Sequence, residues 1–245
     1  MTVALVLALL IGLLLATLGG GGSILTMPLL TGWLGLGARE AAATSLVVVG
    51  VTAVVGLLAH ARAGRVHWRT GAIYGLAGLL GATAGGFVGG RLPDEVVLSA
   101  FVLMMLVTAL AMLRSREPVG APPERAGLVR SVAHGALVGA AAGLVGAGGG
   151  FLVVPALALL GGLSIEIAIG TSLLVIALNA AGGLVGYLAH IEIDWTLAAL
   201  LSLAGGAGTL AGARFVGRVP RAQLRRAFGW FVIAAAALMV VTNPS

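Results

Sequence analysis

The sequence predicts an all-α integral membrane protein made of two inverted-topology repeats. Each repeat is expected to hold a glycine-broken re-entrant or hairpin segment followed by three transmembrane helices. Three observations lead there: an apolar composition, a repeat with one fixed offset, and the distribution of arginine along the chain.

Composition sets the solvent. Apolar residues make up 60% of 245, only 9% are charged, and the mean hydropathy is +1.13. A soluble domain carries about a quarter charged residues, so most of this chain lies in lipid. Apolar stretches fall at 2–36, 41–61, 70–90, 96–113, 128–161, 167–189, 195–217 and 227–242. Their length suits helices that need about 20 residues to span, and not barrel strands that alternate over about 10. The absence of cysteine excludes disulfides, thiolate metal sites and cysteine nucleophiles. No charged side chain precedes Arg39, so the first stretch lacks the basic region of a signal peptide and is expected to be retained. The net charge of +6 comes from arginine alone. In a soluble chain it would suggest nucleic acid; here cytoplasmic loops account for it, and no nucleic-acid partner is expected.

The second observation is a duplication. At an offset of 127 residues, Gly21-Gly22 matches Gly148-Gly149, Pro28 matches Pro155, and "ATSLVV" (43–48) matches "GTSLLV" (170–175). Trp68 pairs with Trp195, Gly81 with Gly208, and Pro93 with Pro220, without a gap. About a third of positions between 10 and 113 are identical across the offset, beyond chance even for a Gly/Ala/Leu-rich chain. The division is therefore a first membrane repeat at 1–113, a charged, proline-rich cytoplasmic linker at 114–127, and a second repeat at 128–245. Together they form one membrane domain.

Arginine decides the orientation. If every apolar stretch crossed once, each side would hold seven arginines, against the positive-inside rule. If the first stretch of each half instead returns to its own side, twelve arginines gather on one face and two, Arg39 and Arg91, on the other. The halves are then inverted, with six full spans and both termini outside. Length agrees, since residues 2–36 as one helix would run about 50 Å through a core of roughly 30 Å.

The breaks carry the functional reading. Gly-interrupted segments at matching places in two inverted halves point to a transporter site. Irregular backbone at membrane depth is tolerated where it is buried in protein or lines a cavity. The new helix begun after each break offers unpartnered amides and a positive dipole end, and glycine lets an anion approach them. The candidates are Gly21, Gly22 and Ser23 in the first half and Gly148, Gly149 and Gly150 in the second. Close helix packing is the competing use of glycine, and it suits the runs at 75–90 and 203–217. On that reading Gly86→Ala is expected to do little.

Thr44-Ser45 and Thr171-Ser172 are the next candidates. Their hydroxyls lie a few residues into the helix after each break, able to donate to an oxyanion or to bond back to their own helix. Asn179, about two turns beyond Ser172, is expected at a cavity or a helix contact, since facing lipid is costly. Its counterpart in the first half is Thr52. His60, His67, His134 and His190 show no metal-ligand spacing, so no metal is expected. His60 and His190 suit the interface, with proton coupling as the alternative. "RAQLRRAFGW" (221–230) reads as a basic segment facing anionic lipid.

These motifs resemble the sulfite exporter TauE/SafE family of bacterial membrane transporters. The resemblance rests on "GGGGSILTMPLL" with "ATSL" and on "GAGGGFLVVPAL" with "GTSL", and it covers nearly the whole chain. It implies secondary transport, usually export, of small sulfur-containing anions such as sulfite or sulfonates across the bacterial inner membrane. The half-sites differ, since Gly20 is mirrored by Ala147 and Ser23 by Gly150. A channel-like anion facilitator and a non-transporting assembly protein are the alternatives. A serine hydrolase built on Ser23 and His60 lacks G-x-S-x-G, an acid and any group to orient the histidine, so no enzyme is expected. No nucleotide-binding motif or other cofactor signature is present. The expected partners are the anion and membrane lipid, with a homo-oligomer left open.

Overall fold

The computed structural model describes residues 2–18, 23–114, 128–160, 162–213 and 230, which are helical apart from short turns. Helix α1 (Thr2–Leu18) is followed by a short α2 (Ser23–Pro28) that widens into a π-helical turn at Leu29–Trp33. Then come α3 (Ala38–Arg62), α4 (Trp68–Gly89) and α5 (Asp94–Arg114). The same order follows in α6 (Leu128–Leu144), α7 (Gly150–Pro155), a second π turn (Ala156–Leu160), α8 (Ile165–Leu188) and α9 (Trp195–Ala213). Helix starts at residues 23, 38 and 68 recur at 150, 165 and 195, each 127 residues on.

Proline shapes both short segments. Pro28 and Pro155 have no N–H to donate, and their rings crowd the preceding turn, so the α-ladder gives way to a wider one. In the first copy Leu34 N–H reaches back five residues to Leu29 O at 3.2 Å. Leu36 N–H to Leu30 O at 3.0 Å and Leu163 N–H to Leu157 O at 3.2 Å are one bond made twice.

Among the described residues, four helices are long and apolar enough to cross a membrane: α3, α4, α8 and α9. The expected span at 96–113 falls within α5, whereas 227–242, apart from Trp230, lies outside the described residues. Leu76, Leu80, Leu137 and Leu203 are 60–73% exposed, an apolar exterior that suits lipid contact.

Glycine sets how the helices meet. Helix α4 packs between α6 and α8, and α9 packs between α1 and α3. Gly78, Gly81, Gly85 and Gly89 of α4 meet the backbone at Gly135, Ala136, Ala140 and Leu144 in rising order, so α4 and α6 run parallel. Gly71, Gly75, Gly78 and Gly86 meet Leu174, Leu178, Asn179 and Gly183 of α8, again parallel. In the other layer, Gly12 meets Gly205, and Leu13 meets Gly208 and Gly212. Thr52 and Gly56 of α3 lie against Gly205 and Thr209. Helices α1, α3 and α9 therefore share one direction, and α4, α6 and α8 share another.

The two layers join through α3 and α8, whose register falls: Leu46 meets Gly183, Gly50 meets Ala180 and Gly56 meets Leu173. These helices are antiparallel. Such close approach needs small residues, because a Cβ would occupy the space that the neighbouring backbone fills. Gly86 is one of these positions. A side chain there would strike the carbonyl of Gly183, which has no rotamer to yield. Gly86→Ala is therefore expected to cost stability, while the expectation that it does little to transport itself stands as a prediction.

Candidate functional site: a buried glycine turn between α6 and α7

Helix α6 stops at Leu144 because the chain next takes left-handed backbone at three glycines. Gly146, Gly148 and Gly149 have φ of +67°, +62° and +74°. Each would cost a side-chain-bearing residue about 1–2 kcal/mol. The turn is nonetheless interior: Val145 and Ala147 are fully buried, and so are Gly146, Gly148, Gly149 and Gly150. Gly149 then serves as the N-cap of α7.

A buried turn must place its polar backbone somewhere. Val145 N–H donates to Ala141 O at 3.4 Å and Gly146 N–H to Gly143 O at 3.2 Å. The amides of Leu152 and Val153 both donate to Gly149 O at 2.9 Å. Among the described residues, no backbone bond takes Ala147, Gly148 or Gly149 as its donor. Successive free N–H groups in such a turn form a concavity suited to an anion.

Side chains from both halves surround the turn. Ala42 and Val49 of α3 face Gly146 and Gly148, Ile176 of α8 also faces Gly148, and Ala142 of α6 faces Gly149. Ser45 Oγ donates to Gly146 O at 2.5 Å, a bond between residues 101 apart in sequence. Asn179 is 1% exposed, and neither atom of its carboxamide has a hydrogen-bond partner. Its Oδ1 lies against Gly78, and its Nδ2 is 3.8 Å from the point where Gly149 would carry a Cβ. Leaving such a buried group unmatched costs about 1–3 kcal/mol. Thr44 Oγ1, beside Ser45 in sequence, is likewise buried and unpartnered.

The expected residues therefore separate into groups. Ser45, Gly148, Gly149 and Asn179 come together around the turn, with Gly150 opening α7 and Thr44 next to Ser45 on α3. Gly21 and Gly22 lie outside the described residues; Ser23 opens α2, and its side chain lies outside them too. Thr171 and Ser172 stand about 10 Å along α8 from Asn179. Thr171 Oγ1 accepts from His67 N–H at 2.9 Å, holding the α3–α4 loop, and Ser172 Oγ donates to Ile169 O of its own helix at 2.7 Å. The antiparallel register sends the two Thr-Ser pairs toward opposite ends of the α3–α8 contact.

Two residues were not singled out in the sequence. Gly78 makes room for the Asn179 carboxamide but reads as one more packing glycine. Thr26 on α2 is 1% exposed with an unpartnered Oγ1, where its repeat counterpart is the apolar Val153. A lone hydroxyl just after the first break was the available signal.

Several other polar groups have structural partners, although His60 Nδ1, Tyr74 Oη, His134 Nδ1 and Ser202 Oγ are buried without one. His60 is buried, with Nε2 at 3.3 Å from Ala16 O, and not at an exposed interface. His67 Nδ1 accepts from Thr70 N–H and caps α4. Arg91 lies 4.0 Å over the Phe87 ring, which His190 also contacts. Asp94 accepts from Ala38 N–H at 3.0 Å and pairs with Arg39 Nε at 2.6 Å, tying α5 to the start of α3. Among the described residues, no His, Asp and Glu cluster could hold a metal ion.

Long apolar helices define a multi-pass helical membrane protein, and its relatives place it in the transporter class. The chain belongs to the sulfite exporter TauE/SafE family, which matches residues 4–239. It is 38% identical over 240 residues to a probable membrane transporter protein of Xylella fastidiosa (strain 9a5c), covering 94% of this chain and 91% of that one. A probable membrane transporter protein of Bacillus subtilis (strain 168) is 27% identical over 224 residues, covering 89% and 91%. One from Methanocaldococcus jannaschii is 28% identical over 189 residues, covering 75% and 70%. No solved structure matches the chain. The protein is a membrane transporter of this family and not an enzyme.

Proposed function

We propose that the chain is a secondary transporter that exports small anions, above all sulfur oxyanions and sulfonates, across the bacterial cytoplasmic membrane. The observation that carries this reading is the buried turn at 145–149, with three amides that make no backbone bond among the described residues beside the unpartnered Asn179 carboxamide. Hydrogen bonds to a charged group contribute about 1.5–3 kcal/mol each, so a few of them offset much of the cost of bringing an anion there. The family and its sulfite exporter name support a sulfur anion.

The inverted repeat fits the same reading. Leu46 meets Gly183 and Gly56 meets Leu173, which is one contact made twice under exchange of the halves. Trp68 and Trp195, both 56% exposed, open helices that run in opposite directions, which suits one aromatic anchor at each interface. In this scheme the glycine segments are re-entrant hairpins. Alternating access is a rocking of the α1–α3–α9 layer against the α4–α6–α8 layer about the α3–α8 contact.

Proteoliposomes provide the test. The protein should take up radiolabelled sulfite and sulfonates with saturation, and unlabelled anion on the far side should accelerate uptake. Linear conductance without such counterflow would make it a channel. No flux and no binding across sulfite, sulfate and sulfonates would sink the anion reading.

A further inference from the structure

One contact occurs twice in the molecule with different chemistry. Gly78 lies against Asn179, and at the repeat-equivalent places Gly205 lies against Thr52. Both polar side chains are 1% exposed. Thr52 Oγ1 is satisfied within its own helix, by Val48 O at 2.7 Å and Val49 O at 3.1 Å. A hydroxyl can turn back to the carbonyl four residues earlier. The longer carboxamide of Asn179 makes no such bond, and both its polar atoms are unpartnered. With Oδ1 against Gly78, Nδ2 is the donor on the Gly149 side, at the turn whose amides 147–149 make no backbone bond among the described residues.

Charge narrows the ligand. Among the described residues, the buried polar side chains are threonines, serines, His60 and Asn179, with no arginine or carboxylate. Among the described residues, an anion beside the turn is therefore met by neutral dipoles alone. The cost of dehydration rises with the square of the charge, roughly fourfold for a dianion, while attraction to fixed dipoles only doubles. That balance favours a single charge.

We propose that Asn179 and the amides of residues 147–149 form one site for a singly charged oxyanion of the sulfonate type, in which Asn179 supplies a donor that Thr52, held by its own helix, does not. This rests on the anion-transport reading and adds the ligand's charge and the side chain that distinguishes it. Asn179 Nδ2 donates to one oxyanion oxygen while the turn N–H groups donate to the others. The two equivalent side chains thus differ in role: Asn179 is a donor for the anion, and Thr52 packs against Gly205 of α9.

Binding titrations on the full chain in lipid nanodiscs test this, with methanesulfonate as the singly charged probe and sulfate as the doubly charged one. Methanesulfonate is expected to bind wild type about tenfold or more tighter than sulfate. Asn179→Thr, which installs the residue found at the equivalent position, should weaken methanesulfonate by about tenfold. Thr52→Val should leave it within about twofold, since that hydroxyl bonds only to its own helix. Sulfate binding as tightly as methanesulfonate would overturn the proposal, and so would unchanged affinity in a folded Asn179→Thr. Either result leaves anion transport standing. Wild type that neither binds nor carries either ion would end both readings. Discrimination by wild type decides the matter if Asn179→Thr does not fold.

Discussion

The glycines of the α6–α7 turn and those of the helix contacts use the missing side chain in opposite ways. Gly146, Gly148 and Gly149 adopt left-handed backbone, and the amides of Gly148 and Gly149 make no backbone bond among the described residues. Gly81, Gly85, Gly139 and Gly143 keep the ordinary helical conformation and spend nothing on φ. Their missing Cβ instead lets one helix rest on the carbonyls of the next. The first set shapes a polar surface inside the protein, and the second removes space between helices. Composition treats the two sets alike. Structure separates them, and so should substitution.

The largest expected effect is at the turn. Gly149→Leu places a side chain where φ is +74° and where Ala142 and Asn179 stand, and should reduce anion flux to background in proteoliposomes. Flux near wild type would remove the turn from the mechanism. Next come the helix contacts. Gly81→Ala would drive a methyl into the backbone of Ala136 and Ala140, and Gly86→Ala into Gly183. Each should cost about 3 kcal/mol, read as a lower thermal unfolding midpoint in detergent, with flux falling only as folded protein is lost. An unchanged midpoint in both would break the distinction drawn here.

Ser45→Ala tests the link between the halves at the turn. It removes the bond to Gly146 O and leaves a buried carbonyl short of a donor, for about 1–2 kcal/mol. Flux per folded molecule should fall as well, whereas Thr83→Val, which loses only a bond to its own helix, should spare it. The smallest effect is at Gly64. Its φ is +67°, like that of the turn glycines, but a Cβ there would meet nothing within 4 Å. Gly64→Ala should cost about 1 kcal/mol from strain and leave flux unchanged. A flux defect at Gly64 would mean that left-handed backbone alone, apart from its buried amides, controls transport.

Much of this was legible in the residues. The offset that pairs Pro28 with Pro155 also places the starts of α2, α3 and α4 on those of α7, α8 and α9. Proline and glycine act locally, so their consequences can be read from spacing. Ser45, Gly148, Gly149 and Asn179 were likewise visible as polar or helix-averse residues inside apolar sequence.

What could not be read is which partner each polar group finds. "ATSL" and "GTSL" are nearly identical strings, yet Ser45 crosses to Gly146 while Thr171 holds His67. Tertiary neighbours more than 100 residues away decide that difference. The rigid contact at Gly86 was hidden for a related reason: no local pattern tells whether a helical glycine faces lipid, a yielding side chain or a rigid carbonyl. The contrast between Thr52 and Asn179 was present in the repeat alignment. Only the hydrogen bonds reveal that one is satisfied at home and the other is not.

The central claim is that the 145–149 turn receives the transported anion. Counterflow of radiolabelled methanesulfonate in proteoliposomes holding equal folded wild type and Gly149→Leu addresses it directly. The account predicts saturable uptake by wild type, accelerated by unlabelled anion on the far side, and none above background in the variant. Equal counterflow by the two proteins would contradict it.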